Sequence, residues 1–327
     1  RGERSGVEKL KGVNRMPRRG KNIQLYLMDG EAGGRIKCTL ANWTGVAYKI
    51  PRTELERCRD RQDLKQSGVY FLFGSSDETG RGVVYVGQGG ARKNGEGLLM
   101  RLQAHKRNPE KDYWTEAVAL TTTNNSLGPT EISYLENRFC NLALEAGRFE
   151  VKNGNEPTQG NITEEKESEM EEFIDYSKVI IGTLGYKVFI PLDRTKEPDR
   201  DDAAQAEAVR LLYLKRTIKG VGHIEATGSQ TAEGFVVYRG SGIATLDDNT
   251  VSQVMKERRK KAIQAFSENG HEGQAGEESG CVLLQDELFT SPSAAAMFVT
   301  GKNAYGMTSW KTADGVTLKE LEREAGC

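Results

Sequence analysis

Apolar side chains at Ile132, Leu135, Phe139, Leu142 and Ala146 recur every three or four positions. That spacing places them on one stripe and predicts a helix over 130–146, opened by Pro129 and Thr130. A second helix is predicted over 98–106, where Arg101 and His105 stand four apart and share a face. Elsewhere the pattern is that of strands. Residues 23–27, 35–40 and 46–50 read as three short strands separated by turn signals at Asp29-Gly30, Gly33-Gly34 and Trp43-Thr44-Gly45. A helical segment over 53–66 follows. Residues 68–73 and 83–87 flank a turn-rich connection and predict a hairpin, with a third strand at 116–122. With the register symmetric about Asp77 and Glu78, Tyr70 lies opposite Tyr85. Period-two alternation then sends both phenols from one face.

Past a turn at 153–157, residues 164–176 hold seven acidic side chains and one lysine, which predicts an exposed helix. Residues 179–191 mix apolar positions with Gly182 and Gly185 and are expected to return to the sheet or dock the helix. The charged stretch 195–204 marks a linker. Beyond it come strands at 234–238 and 282–284, a basic helix at 251–266, a Gly/Glu-rich loop at 268–280 and a helix opening at Ser291-Pro292-Ser293. The chain therefore divides into a disordered basic arm (1–20), a β-rich N-terminal module with a connector helix (21–66), a central domain with a helical extension (67–194), a linker (195–225) and a C-terminal domain (226–327). No internal repeat is visible.

Length agrees with this division, since 327 residues at about 150 per domain allow two or three domains. No apolar run approaches the roughly 18 to 20 residues of a membrane-spanning helix. No apolar h-region follows the basic start, so the expectation is a cytoplasmic protein with no membrane partner. The chain begins at Arg1 rather than Met, which leaves room for residues upstream. Five cysteines without a C-x-x-C pair argue against a zinc ribbon or a disulfide framework, and three histidines (His105, His223, His271) exclude a His-rich metal cage. The net charge of -1 conceals a gradient: residues 1–66 carry 16 Lys+Arg against 8 Asp+Glu, and residues 164–327 carry 20 against 28. A basic leading segment can recruit a polyanion, and a solvated arm is its plain alternative.

In order, the chain offers Gly68-Val69-Tyr70, Tyr85-Val86-Gly87, Arg101, His105, Glu136 and Asn155. This ordered set resembles the GIY-YIG nuclease family over about residues 67–160. The resemblance implies an α+β fold, a GIY-YIG nuclease core with a three-stranded antiparallel sheet flanked by helices, here between the small β-rich N-terminal module and an α+β C-terminal domain. Val69 and Val86 stand where the family name has isoleucine. Fourteen residues separate the two tyrosines and thirteen separate Gly87 from Arg101, both longer than in compact members. Some members carry a lysine soon after the second tripeptide. Gln88 follows here, with Arg92 or Lys93 as substitutes if the loop folds back.

Phosphodiester cleavage needs a deprotonated water near phosphorus, neutralisation of the transition-state charge and a stabilised leaving oxygen. The resemblance assigns Glu136 to Mg²⁺ (or Mn²⁺), an ion that one carboxylate, waters and phosphate oxygens can satisfy. Arg101 offers a planar fork for phosphate oxygens. Tyr85, with His105 in support, is preferred over Tyr70 as the base, and Asn155 is preferred over Asn153 as the residue that holds the site together. Each residue also has a plain reading: strand aromatics, a solvated helix face, a glutamate paired with Arg138 and a turn-forming asparagine.

The tail, from Phe289-Thr290-Ser291-Pro292 through Gly301, Asn303, Gly306, Trp310 and Leu318, resembles the small C-terminal domain of unknown function appended to GIY-YIG proteins and found in restriction-associated proteins. Trp310 is expected in its core, with stacking on a base as the alternative. The reading that emerges is a metal-dependent DNA endonuclease serving restriction, defence or mobile-element biology. Its partners would be DNA, a second copy of the chain in a homodimer, and a protein bound through the acidic C-terminal half. Two other classes compete: a non-catalytic nucleic-acid-binding or adaptor protein on a nuclease scaffold, and a partner-binding regulator.

Overall fold

A computed structural model describes residues 20–76, 80–90, 97–154, 160–192, 210–267 and 281–325. The chain is of mixed α+β type and forms two compact units, one of residues 1–141 and 150–187 and the other of 142–149 and 188–327. Among the described residues no helix is long and apolar enough to cross a membrane.

The first unit is built on one seven-stranded sheet. In chain order its strands are β1 (Ile23–Leu27), β2 (Ile36–Leu40), β3 (Gly45–Pro51), β4 (Gly68–Ser75), β5 (Gly82–Gly89), β6 (Trp114–Thr122) and β7 (Glu150–Val151). They lie in the order β1-β2-β3-β6-β4-β5-β7, antiparallel throughout except for the β5–β7 edge. This differs from the expected separate N-terminal module. β3 pairs with β6 over seven residues, from Gly45↔Thr122 to Pro51↔Glu116, so the leading strands and the central three form one sheet. Val46, Ala47, Tyr48 and Ile50 are all buried, which explains the pairing: β3 has apolar side chains for both faces and needs cover on each.

One face of the sheet carries Val46, Tyr48, Ile50, Tyr70, Leu72, Ala117 and Ala119 beneath α1 (Leu98–Arg107), through Leu98, Leu99 and Leu102. The expected helix over 53–66 is instead two short 3-10 stretches, Arg52–Cys58 and Asp63–Lys65, which bury Leu55, Cys58 and Leu64 in the same layer. The other face carries Phe71 and Phe73, with Phe71 edge-on to Phe139 of α2 (Pro129–Ala146) at 5.2 Å. A further helix, α3 (Glu164–Thr183), covers β2 and β3. Its expected exposure is corrected, because Met170, Phe173, Ile174, Ser177, Ile180 and Ile181 repeat at helical spacing and are buried. The acidic residues occupy the opposite face and the first turn, where Glu164, Glu165 and Glu167 complement the helix dipole.

The second unit holds a four-stranded antiparallel sheet and a two-stranded ribbon. Its strands are β8 (Leu212–Ile218), β9 (Gly222–Thr231), β10 (Gly234–Val237), β11 (Gly242–Ile243), β12 (Cys281–Val282) and β13 (Glu287–Phe289), ordered β13-β10-β9-β8 and β11-β12. β8 and the start of β9 fall within 195–225, so that segment is not a linker through its length. Residues 193–209 lie outside the described ones. The helices are α4 (Gln253–Phe266), α5 (Pro292–Thr300), α6 (Gly306–Ser309) and α7 (Leu318–Ala325). Ser291 caps α5 as its sequence signals, accepting from the Ala294 N–H at 3.2 Å, and Gly301 ends it. Trp310 is fully buried, packed 4.6 Å from Phe235, and its Nε1–H donates to the Pro292 carbonyl at 3.0 Å. It is a core residue with its polar edge satisfied, which removes the base-stacking alternative.

Candidate functional site

The hairpin of β4 and β5 positions the two phenols. Its register differs from the expected one by two residues: Tyr70 pairs with Gly87, and Tyr85 with Leu72. A slip of two preserves side-chain parity, so the phenols still leave the same face, their ring centroids 6.3 Å apart. The pairing also explains the glycine of the second tripeptide. A Cβ at Gly87 would overlap the Tyr70 phenol, which lies across that backbone. Gly68 is constrained likewise, since a Cβ there would run into the Leu120 carbonyl and approach Leu98 Cδ1 to 2.7 Å.

α1 delivers the next two groups from one face. His105 is only 5% exposed, and its Nε2 lies 2.5 Å from the Tyr70 hydroxyl. Burial, helped by the cationic Lys111 and Arg101, holds the imidazole down at a pKa of about 4, while burial pushes the Tyr70 phenol far up. At neutral pH the hydrogen bond therefore joins a neutral phenol and a neutral imidazole. The sequence reading placed His105 in support of Tyr85. Its ring centroid lies 5.3 Å from that of Tyr85, but its hydrogen bond goes to Tyr70.

Tyr85 is half-buried, and burial raises its phenol as well, with Glu136 acting in the same direction. Arg101 opposes that shift at both phenols through charge and hydrogen bonding. Lys111 supplies a second cation, its Nζ 3.4 Å from the centroid of the Tyr85 ring. Burial, reinforced by repulsion from Arg101, lowers the Lys111 ammonium to about 8. Sequence reasoning missed this residue. It follows Pro109 in a short 3-10 stretch, Pro109–Lys111, and no spacing rule connects it to Tyr85.

Glu136 sits on α2 beside the buried stripe, as its position next to Leu135 predicts. It is half-buried and accepts from Gln88 Nε2 at 2.8 Å. Burial raises its carboxyl, and the Gln88 hydrogen bond and the charges of Arg101 and Lys111 pull the other way. Its expected alternative partner, Arg138, instead forms a fork to Glu171 at 2.6 and 3.0 Å. Five of the six predicted side chains are thus tied to one another by contact or charge.

The sixth, Asn155, lies outside the described residues, as do Arg92 and Lys93. Asn153 takes a defined part. Its Oδ1 accepts from the Val86 N–H at 3.0 Å and its Nδ2 donates to the Val86 carbonyl at 2.8 Å. This side-chain amide extends the ladder begun by β7 and fixes the edge of β5 at the second tripeptide.

Among the described residues no three or more His, Cys, Asp or Glu side chains gather to hold a metal ion. The donor set suits a hard cation that takes one carboxylate and fills its other positions with water and substrate oxygens.

Residues 217–322 match a family described as a domain of unknown function, DUF4357. The match supports the C-terminal resemblance, begins within β8 and does not reach the side chains just described. No curated protein and no solved structure matches the chain.

Proposed function

We propose that the chain is a metal-dependent DNA endonuclease that hydrolyses phosphodiester bonds, in restriction, defence or mobile-element biology. The observation that carries this reading is the meeting of Tyr70, Tyr85, Arg101, His105 and Glu136 in the first unit, with four of the five on one hairpin and the helix packed over it. The order of these residues resembles the GIY-YIG family, the leading segment is basic, and the C-terminal domain resembles one appended to such nucleases.

Tyr85, the less buried phenol, orients the attacking water and takes its proton, and Arg101 and Lys111 favour the phenolate that this role requires. Tyr70 stands behind it, held by His105, and so keeps the hairpin face in place. Arg101 binds phosphate oxygens as charge builds on them. Glu136 would hold Mg²⁺ (or Mn²⁺), with the Gln88 amide orienting its carboxylate. When bound, the ion supplies Lewis-acid polarisation of the phosphate and stabilises the leaving oxygen.

The test is incubation of purified protein with supercoiled, linear and modified DNA, with Mg²⁺ or with EDTA. Metal-dependent nicking or cutting is expected, abolished in Glu136→Ala while DNA binding at low salt persists. Cleavage unchanged in that variant removes the metal site, and binding without cleavage on every substrate replaces the enzyme with an adaptor. No DNA affinity even at low salt favours the partner-binding regulator.

A further inference from the structure

Lys111 follows α1 in a segment held from both sides. Asn108 caps the 3-10 stretch, its Oδ1 accepting from the Glu110 N–H at 3.0 Å, and Pro109 presets the first turn. Arg52 staples the same segment. It donates to the carbonyls of Lys106, Asp112 and Trp114 at 3.3, 3.0 and 3.2 Å and pairs with the Asp112 carboxylate at 2.8 Å. The backbone at Lys111 is thereby fixed, and its Nζ is set over the Tyr85 ring.

That ammonium lacks a counterion. Lys37 and Lys49, partly buried like Lys111, have carboxylate oxygens of Asp63 and Glu116 at 3.3 and 3.0 Å. Among the described residues no carboxylate forms an ion pair with Lys111 or with Arg101. A ring face offsets only part of the cost of desolvating a cation. Burial accordingly lowers the ammonium, with repulsion from Arg101 second and the charge of Glu136 opposing both.

The neighbours show what can reach it. Tyr70 and His105 are buried and form a floor, whereas Tyr85, Gln88, Lys111 and Glu136 are partly exposed and Arg101 is open to solvent. At neutral pH both phenols and the imidazole are uncharged, so the accessible charges are two cations against one carboxylate. An ammonium and a guanidinium with no acceptor between them suit an anion that offers several oxygens at once.

We propose that Lys111 is a second phosphate ligand of the site, clasping a phosphate group together with Arg101. The guanidinium supplies a planar fork for two oxygens, and the ammonium supplies a point charge for a third. The identity of that group as the scissile phosphodiester rests on the nuclease reading; the clasp itself rests on the unpaired ammonium. Under that reading Lys111 touches the substrate and is a catalytic residue, because it neutralises charge that grows on the oxygens in the transition state.

Binding is read in EDTA, without cleavage, on the full chain carrying a fluorotyrosine at position 85, with inorganic phosphate as the probe. At pH 7 a saturable ¹⁹F shift with a dissociation constant on the order of millimolar is expected, and none from chloride at equal ionic strength. Lys111→Met should weaken phosphate about tenfold without lowering the melting temperature, since no ion pair is lost, and Lys111→Arg should restore most of the affinity. On DNA with Mg²⁺, Lys111→Met should lower kcat/KM about a hundredfold. No saturable shift in the wild type, or equal phosphate affinity in Lys111→Met, overturns the clasp. Cleavage at the same rate in wild type and Lys111→Met overturns it too and leaves the nuclease reading standing. Phosphate binding that depends on Lys111 in a protein that cuts no DNA upholds the clasp and removes that reading.

Discussion

The Tyr70 hydroxyl and Nε2 of His105 share a hydrogen bond across 2.5 Å, within the layer between α1 and the sheet. Burial and two nearby cations keep the imidazole neutral in this bond.

His105 consequently links stability to pH. Its folded value of about 4 lies below the ordinary 6.5, so the unfolded chain binds the proton more readily. This contribution is present above pH 6.5 and is lost as pH falls toward 4, by up to about 3 kcal/mol. Urea unfolding at pH 7 and 4.5 checks it: His105→Gln should lose clearly less stability between the two than wild type. Equal losses would remove the buried neutral imidazole.

Gly87→Ala should lower stability by about 1–3 kcal/mol, because its Cβ must displace the Tyr70 ring. In a double-mutant cycle with Tyr70→Leu the two effects should couple by more than about 0.5 kcal/mol. Additive losses would show that the ring does not lie across that glycine.

Lys111→Met should leave the Tyr85 titration unchanged, because an ammonium held at about 8 is already neutral where a raised phenol ionises. Lys111→Arg, whose guanidinium keeps its charge at that pH, should lower the phenol instead. A fluorotyrosine at position 85, titrated by ¹⁹F NMR, reports this without any cleavage assay. No shift in Lys111→Arg would separate the two residues.

Asn153→Ala removes both side-chain hydrogen bonds to Val86 and should cost about 2 kcal/mol. The Val86 amide should exchange with deuterium much faster than its neighbours in β4. Unchanged exchange would mean that the Asn153 amide does not hold this edge.

Much of the first unit is legible in the sequence wherever periodicity is unbroken. The stripe through Ile132, Leu135 and Phe139 gives α2 within a residue of its bounds, and the alternation through Tyr70 and Tyr85 gives the face of the phenols. The register was not legible because the connection holds no two-residue Asn-Gly type of turn to fix it. In α3 the seven acids hid an apolar stripe that is visible only when Met170, Phe173, Ile174 and Ser177 are followed past Tyr176. Lys111 and Gln88 escaped notice for another reason. Their parts depend on where a short 3-10 stretch and a strand end meet other elements, which no local pattern encodes.

The continuous hydrogen bonding from β3 to β6 bears on how this unit can be dissected. A chain cut just before Gly68 would expose the flank of β6 from Glu116 to Thr122, an apolar template for runaway self-association. The hairpin of β4 and β5 cannot be excised as a minimal fragment. The strands between Ile23 and Pro51 serve it as a selvedge.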